Sequence, residues 1–126
     1  MVLTIGDKEY EVNFGIRFVR ELDKKYFTTD ANGVKWGMGL EIVLPQILMA
    51  NDALILSEVL YMGTCTLKSR PTPADVDTFI DECEDIEALF DEVIEELKKQ
   101  NATKTKLMEI EKIIETEKDL EKKAKK

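Results

Sequence analysis

The sequence predicts a mostly helical α+β domain. An N-terminal β-hairpin packs on a bundle of about five helices, and a charged C-terminal tail follows. Three observations lead there. Apolar and polar residues alternate over residues 2–14, apolar residues then recur at helical spacing as far as residue 97, and beyond residue 100 the apolar stripe thins into charge. With 126 residues and 44% apolar content, the chain can bury one core. Residues 1–100 are expected to form a single globular domain and residues 101–126 a tail, helical or disordered.

Residues 2–5 and 9–14 read as the hairpin. Leu3 and Ile5 alternate with Val2 and Thr4, and Tyr10, Val12 and Phe14 alternate with Glu9, Glu11 and Asn13. Gly6-Asp7-Lys8 closes the turn, with a glycine available for positive φ. From residue 15 the period changes. Gly15, Phe18, Val19, Leu22 and Tyr26 share one side of a helix, with Arg17, Arg20, Glu21, Lys24 and Lys25 opposite. The change comes without a linker, so hairpin and helix are expected to pack as one unit.

Residues 27–39 break the pattern. Asn32-Gly33, between Ala31 and Val34, is a turn sequence suited to a second small hairpin. Trp36 and Met38 lie in this stretch. Trp36 has two readings: it folds back over the core, or it anchors a partner, as tryptophan often does at interfaces. The first is the expectation; thirteen residues is long for a connection in a compact domain, which adds some weight to the second.

Residues 40–50 and 52–66 read as two helices meeting near Asn51-Asp52. Pro45 should kink the first or sit within its first turn. The second is apolar around most of its girth, which places it at the centre of the bundle. Lys68 to Pro71 form a loop. Thr72-Pro73-Ala74-Asp75 is a helix start, with Thr72 as N-cap, Pro73 at the first position and the Asp75 charge at the positive end of the helix dipole. A further start near Glu84-Asp85 leads into Ile86, Leu89, Phe90, Val93, Ile94 and Leu97. Asn101-Ala102-Thr103 marks a break. Beyond it Leu107, Ile110, Ile113, Ile114 and Leu120 sit at loosely helical positions among lysines and glutamates. A frayed helix or a disordered segment that folds on a partner is expected there.

The formal net charge of −8 is unevenly placed. Residues 1–74 carry a net −1, residues 75–96 hold eleven acids and no base, and residues 104–126 are net +2. The acidity is one block. Histidine is absent, which excludes Ser-His-Asp and Cys-His catalysis and histidine-ligated zinc or haem. Cys65 and Cys83 are too few for a four-cysteine metal site and read as free thiols of a cytosolic protein. The longest apolar run, Ile42 to Ala50, is far short of the ~20 residues of a membrane span. The N-terminus has no signal-peptide character. No cofactor, metal, nucleic acid or membrane partner is expected.

The acidic face comprises Asp75, Asp77, Asp81, Glu84, Asp91, Glu92, Glu95 and Glu96. Asp75-x-Asp77 begins like a calcium loop but lacks its glycine and its twelfth-position glutamate. Asp91-Glu92 and Glu95-Glu96 pair carboxylates at i and i+4, yet acids on a hydrated helix face are poor general acids or bases. The block could instead mimic DNA. Taken as one helix of roughly 33 Å, eleven charges give one per ~3 Å, against one per ~1.7 Å of duplex. A solvated face that confers solubility accounts for the same residues. The lysine cluster from Lys122 to Lys126 has the opposite sign, which permits tail-to-block contact within or between subunits.

Leu3-Thr4-Ile5 with Lys8-Glu9-Tyr10, then the run from Asn13 to Asp23, resembles the start of tail assembly chaperones of long, non-contractile-tailed phages of Gram-positive bacteria. Asn32-Gly33-Val34-Lys35, Gly37-Met38-Gly39-Leu40, Arg70-Pro71-Thr72-Pro73 and Phe90-Asp91-Glu92-Val93 fit the same family. The likeness covers roughly residues 1–100. It implies a non-enzymatic protein that coats the tape measure protein before tail tube subunits polymerise, in the host cytoplasm, and is absent from the finished virion. It also implies self-association, contact with the tail tube protein, and a longer frameshifted form, for which a lysine-rich end suits A-rich slippery codons. Five methionines supply adaptable contacts and the net charge supplies solubility. Trp36, Met38, Leu107, Ile110, Ile113 and Ile114 are the candidate partner-binding residues. The alternative from another class is an acidic DNA mimic or regulator that binds a basic DNA-binding protein.

Overall fold

A computed structural model describes residues 1–124; Lys125 and Lys126, the end of the lysine cluster, lie outside the described residues. The chain is mostly helical α+β, with two separate two-stranded antiparallel sheets and six helices among the described residues.

The first hairpin pairs β1 (Val2–Ile5) with β2 (Lys8–Glu11), in a register that sets Leu3 opposite Tyr10. These cross-strand partners share one face and are both buried. The strand pairing ends at Glu11, earlier than the alternation suggested. Val12 and Phe14 remain buried beyond it, and the Asn13 amide donates to the Gly63 carbonyl at 2.8 Å. The chain then turns as Asn13 Oδ1 accepts from the Gly15 amide, which starts α1 (Ile16–Lys25). Phe14 and Phe18 stack edge to face at 4.9 Å, so hairpin and helix form one unit.

A short ribbon, β3 (Phe27–Thr29) and β4 (Lys35–Gly37), precedes α2 (Gly39–Leu48). Pro45 lies in the interior of α2, past the first turn, so the Glu41 carbonyl loses its helical donor. α3 (Ala53–Met62) begins at Asp52, whose carboxylate caps the Leu54 and Ile55 amides. It buries Ile55, Leu56, Val59 and Leu60 but exposes Leu54, and the central place its apolar breadth suggested belongs to α2 instead.

Arg70 clamps the following loop. Its guanidinium donates to the Tyr61 carbonyl and to Thr64 Oγ1, and it lies 4.2 Å from the centre of the Tyr61 ring. α4 (Pro73–Glu82) opens on a reciprocal capping box: Thr72 Oγ1 accepts from the Asp75 amide, and Asp75 accepts from the Thr72 amide. α5 (Ile86–Lys99) is capped by Asp85, which accepts from the Ala88 amide at 3.0 Å.

α6 (Lys104–Ala124) is the sixth helix. The first part of the charged segment is packed: Leu107 is fully buried and Ile110 nearly so, against α2 and α5. The buried Thr103 hydroxyl donates to the Leu97 carbonyl at 2.6 Å and fixes the α5–α6 turn. α2 is the hub of the bundle, touching α1, α3, α5 and α6. From residue 115 to residue 124 every α6 side chain is exposed.

Candidate functional site

The partner-binding candidates fall in two places. The first is the β3–β4 ribbon. Its strands pair Phe27 with Gly37, Thr28 with Trp36 and Thr29 with Lys35. Because cross-strand partners share a face, Trp36 and Thr28 face one way and Phe27, Thr29 and Lys35 the other. Every residue of both strands is exposed, Trp36 to 57%. Trp36 therefore does not close over the core. The Lys35 ammonium lies 3.9 Å from the centre of the Phe27 ring on the opposite face.

A lone two-stranded ribbon is marginal in water, so its local chemistry must hold it. Asp30 is the hub. Its Oδ1 accepts from the Asn32 and Val34 amides and its Oδ2 from the Trp36 indole at 3.1 Å. These bonds, the indole first, hold the Asp30 carboxyl below its ordinary range. The loop spans five residues, and within it Gly33 takes φ +81°. At the base the Met38 amide donates to the Tyr26 carbonyl and the Gly39 amide to Asp23 Oδ1 at 2.9 Å. A Cβ at Gly37 would overlap the Asp23 carboxylate, so the ribbon root and α1 touch directly. Met38 is half-buried at this root.

The second place is a groove of about 300 Å³ between α2 and α6. Pro45 of α2 and Met49 at its C-cap face Ile110, Ile113 and Ile114 of α6, with Glu41 and Glu117 at the rim. Ile113 is 58% exposed and Met49 51%. Leu107 is corrected as a candidate: it is a core residue, held between α2 and α5, and no partner reaches it without unpacking the bundle. Ile110 is likewise mostly core and offers only its edge to the groove. Lys106 bridges the rim, 3.1 Å from Glu41 and 3.4 Å from Glu109. Its pKa is raised, chiefly by the hydrogen bond to Glu41.

The acidic face is not one rod. Cys83 to Asp85 separate α4 from α5, so the charge spacing of a continuous helix does not apply. Several of its acids have structural tasks. Asp75 completes the capping box and Asp77 accepts from the Ser57 hydroxyl. Glu95 pairs with Lys98, and Glu96 with Lys99 and the Met1 amino group. Asp81, Glu84, Asp91 and Glu92 face solvent. No group of three or more carboxylates or thiols is placed to hold a metal among the described residues, and both cysteines are free. No described helix is long and apolar enough to cross a membrane.

Phe27, Val34, Pro45 and Met49 join these surfaces without having been singled out in the sequence. Phe27 and Val34 were within reach, because a hairpin closed at Asn32-Gly33 with no third strand exposes its apolar residues. Met49 was not, since only the packing of α2 on α6 brings it to Ile113.

The ribbon and the groove thus leave large apolar side chains exposed on a small, charged helical body. The profile of the phage tail assembly chaperone protein family, TAC, matches residues 2–112, and the chain belongs to that family. Neither the curated proteins nor the solved structures compared with it give a match. Membership makes the partners proteins of phage tail assembly and suggests a non-enzymatic role.

Proposed function

We propose that this chain binds the tape measure protein and keeps it soluble and assembly-competent until tail tube subunits polymerise around it. One observation carries the reading: Trp36, Phe27 and Val34 on the ribbon, and Ile113 and Met49 in the groove, are large apolar side chains left exposed on a single chain with a strongly acidic flank. Such side chains suit reversible cover of another chain's apolar stripe. The acidic block keeps the loaded complex soluble. The tail tube protein is a second partner, self-association spreads the cover along the rod, and the work is done in the host cytoplasm before the virion is complete.

Co-expression tests this. The tape measure protein made alone is expected to enter the insoluble fraction, and with this chain to co-purify in the soluble fraction. Replacing Trp36 by Ala is expected to reduce the co-purified amount while leaving the chaperone folded. No change in tape-measure solubility with the wild-type chain would reject the reading. Capture of a basic DNA-binding protein that is lost steeply with added salt would favour the DNA-mimic alternative.

A further inference from the structure

We infer that the α2–α6 groove takes one amphipathic helix whose apolar stripe carries a lysine or arginine placed to meet Glu117. This rests on the tape-measure reading and specifies the segment of that partner the groove selects. Three features of the groove support it. Its floor is aliphatic and thioether, from Pro45, Met49, Ile113 and Ile114, and it lies where α6 packs beside α2. A groove between packed helices accepts ridges of side chains at i, i+3 and i+4, the pattern of a helix laid in a groove. Met49 can re-pack against different aliphatic neighbours, which suits a partner that offers many similar but unequal segments.

Charge then sets the occupant. The two rim carboxylates differ. Glu41 is neutralised by Lys106 at 3.1 Å, whereas Glu117 makes no ion pair among the described residues. A second copy presenting its own groove would set Glu117 against Glu117, or aliphatic floor against aliphatic floor, without neutralising either carboxylate. A helix with a basic residue at the edge of its apolar stripe neutralises Glu117 and covers Ile113 together. A basic amphipathic helix of the partner therefore complements the groove, and the lysine-bearing end of a second copy's α6 is the competing occupant that the oligomeric state reads out.

The test uses the full-length chain and overlapping 25-residue peptides spanning the tape measure protein, with binding read by fluorescence anisotropy. Peptides combining an i, i+3, i+7 aliphatic stripe with an adjacent Lys or Arg are expected to bind best. Ile113→Lys is expected to weaken them by about tenfold or more, the scale of an interface anchor. Glu117→Lys is expected to weaken them too, and binding should return when the peptide's basic residue is changed to Glu. Both substitutions are at exposed positions, so circular dichroism should be unchanged. Absence of the charge-swap rescue, or equal binding by acidic-flanked peptides, overturns the inference. So does a change in oligomeric state on Ile113→Lys with peptide affinity intact, which would make the groove a self-interface. Solubilisation of the whole tape measure protein by Ile113→Lys and Glu117→Lys at wild-type levels rejects the groove yet leaves the chaperone reading standing. Failure of the wild-type chain to bind any peptide or the whole protein rejects both.

Discussion

Asp30 shows how one side chain can hold an exposed element that has no core of its own. It accepts three hydrogen bonds, including one from the only tryptophan of the chain. Each favours the carboxylate, and its pKa in the folded protein is depressed. The ionised group therefore stabilises the ribbon at neutral pH, and that contribution is lost as pH falls through the depressed value, below the ordinary aspartate range. Trp36 emission reports it directly. A titration is expected to show a change in Trp36 fluorescence in that acid range while far-UV circular dichroism still reads native helix. In Asp30→Asn, whose amide oxygen can still close the turn, the emission should stay flat over the same range. An identical acid transition in that variant would assign the change to another group. Asn32-Gly33 marked this turn in the sequence. The role of Asp30 was hidden, because an aspartate before a turn looks the same whether it bonds two amides or also an indole.

α6 is the element where sequence and fold diverge most usefully. Hairpin and helices up to residue 99 were legible because period two and period 3.6 each run uninterrupted between turn residues and caps. In α6 the five aliphatic residues are diluted by charge, and periodicity alone does not separate a packed helix from a solvated one. What decides is the partner: α2 and α5 offer a trough that takes Leu107 and Ile110. The helix is thus divided. Residues 104–114 contribute to the body, and residues 115–124 extend it with no packing. Leu107→Ala is expected to cost about 2–5 kcal/mol, as for other fully buried leucines. Ile113→Ala should fall within about 0.5 kcal/mol of wild type. Urea midpoints check both. Ending the chain after Ile114 should leave the midpoint nearly unchanged, whereas ending it after Thr103 should lower it sharply. Amide exchange should agree, fast over 115–124 and slow near Leu107. Equal protection along the whole helix would contradict the division.

At the scale of the molecule, the acidic block and the ribbon lie on different parts of the chain. The body up to residue 74 is nearly neutral and carries the ribbon and α2, whereas the eleven acids of residues 75–96 sit on α4, α5 and the turn between them. Asp81, Glu84, Asp91 and Glu92 form no ion pair among the described residues and no hydrogen bond that would explain their place. Their mutual repulsion opposes folding slightly, so their use lies in solution behaviour: they keep a protein that exposes Trp36, Phe27 and Ile113 from associating through those groups without control. Reversing all four to Lys adds two charges at each position and takes the net −8 to neutrality. The melting temperature is expected to hold or rise, since like charges are relieved. Solubility at pH 7 should fall, with a minimum near that pH in place of the acidic one set by the sequence pI of about 4.7. The fraction that stays in solution should bind tape-measure peptides with near wild-type affinity, because neither ribbon nor groove has been touched. If affinity collapsed instead, the acidic face would itself be the docking surface. The division of labour between an apolar grip and an acidic flank would then be wrong.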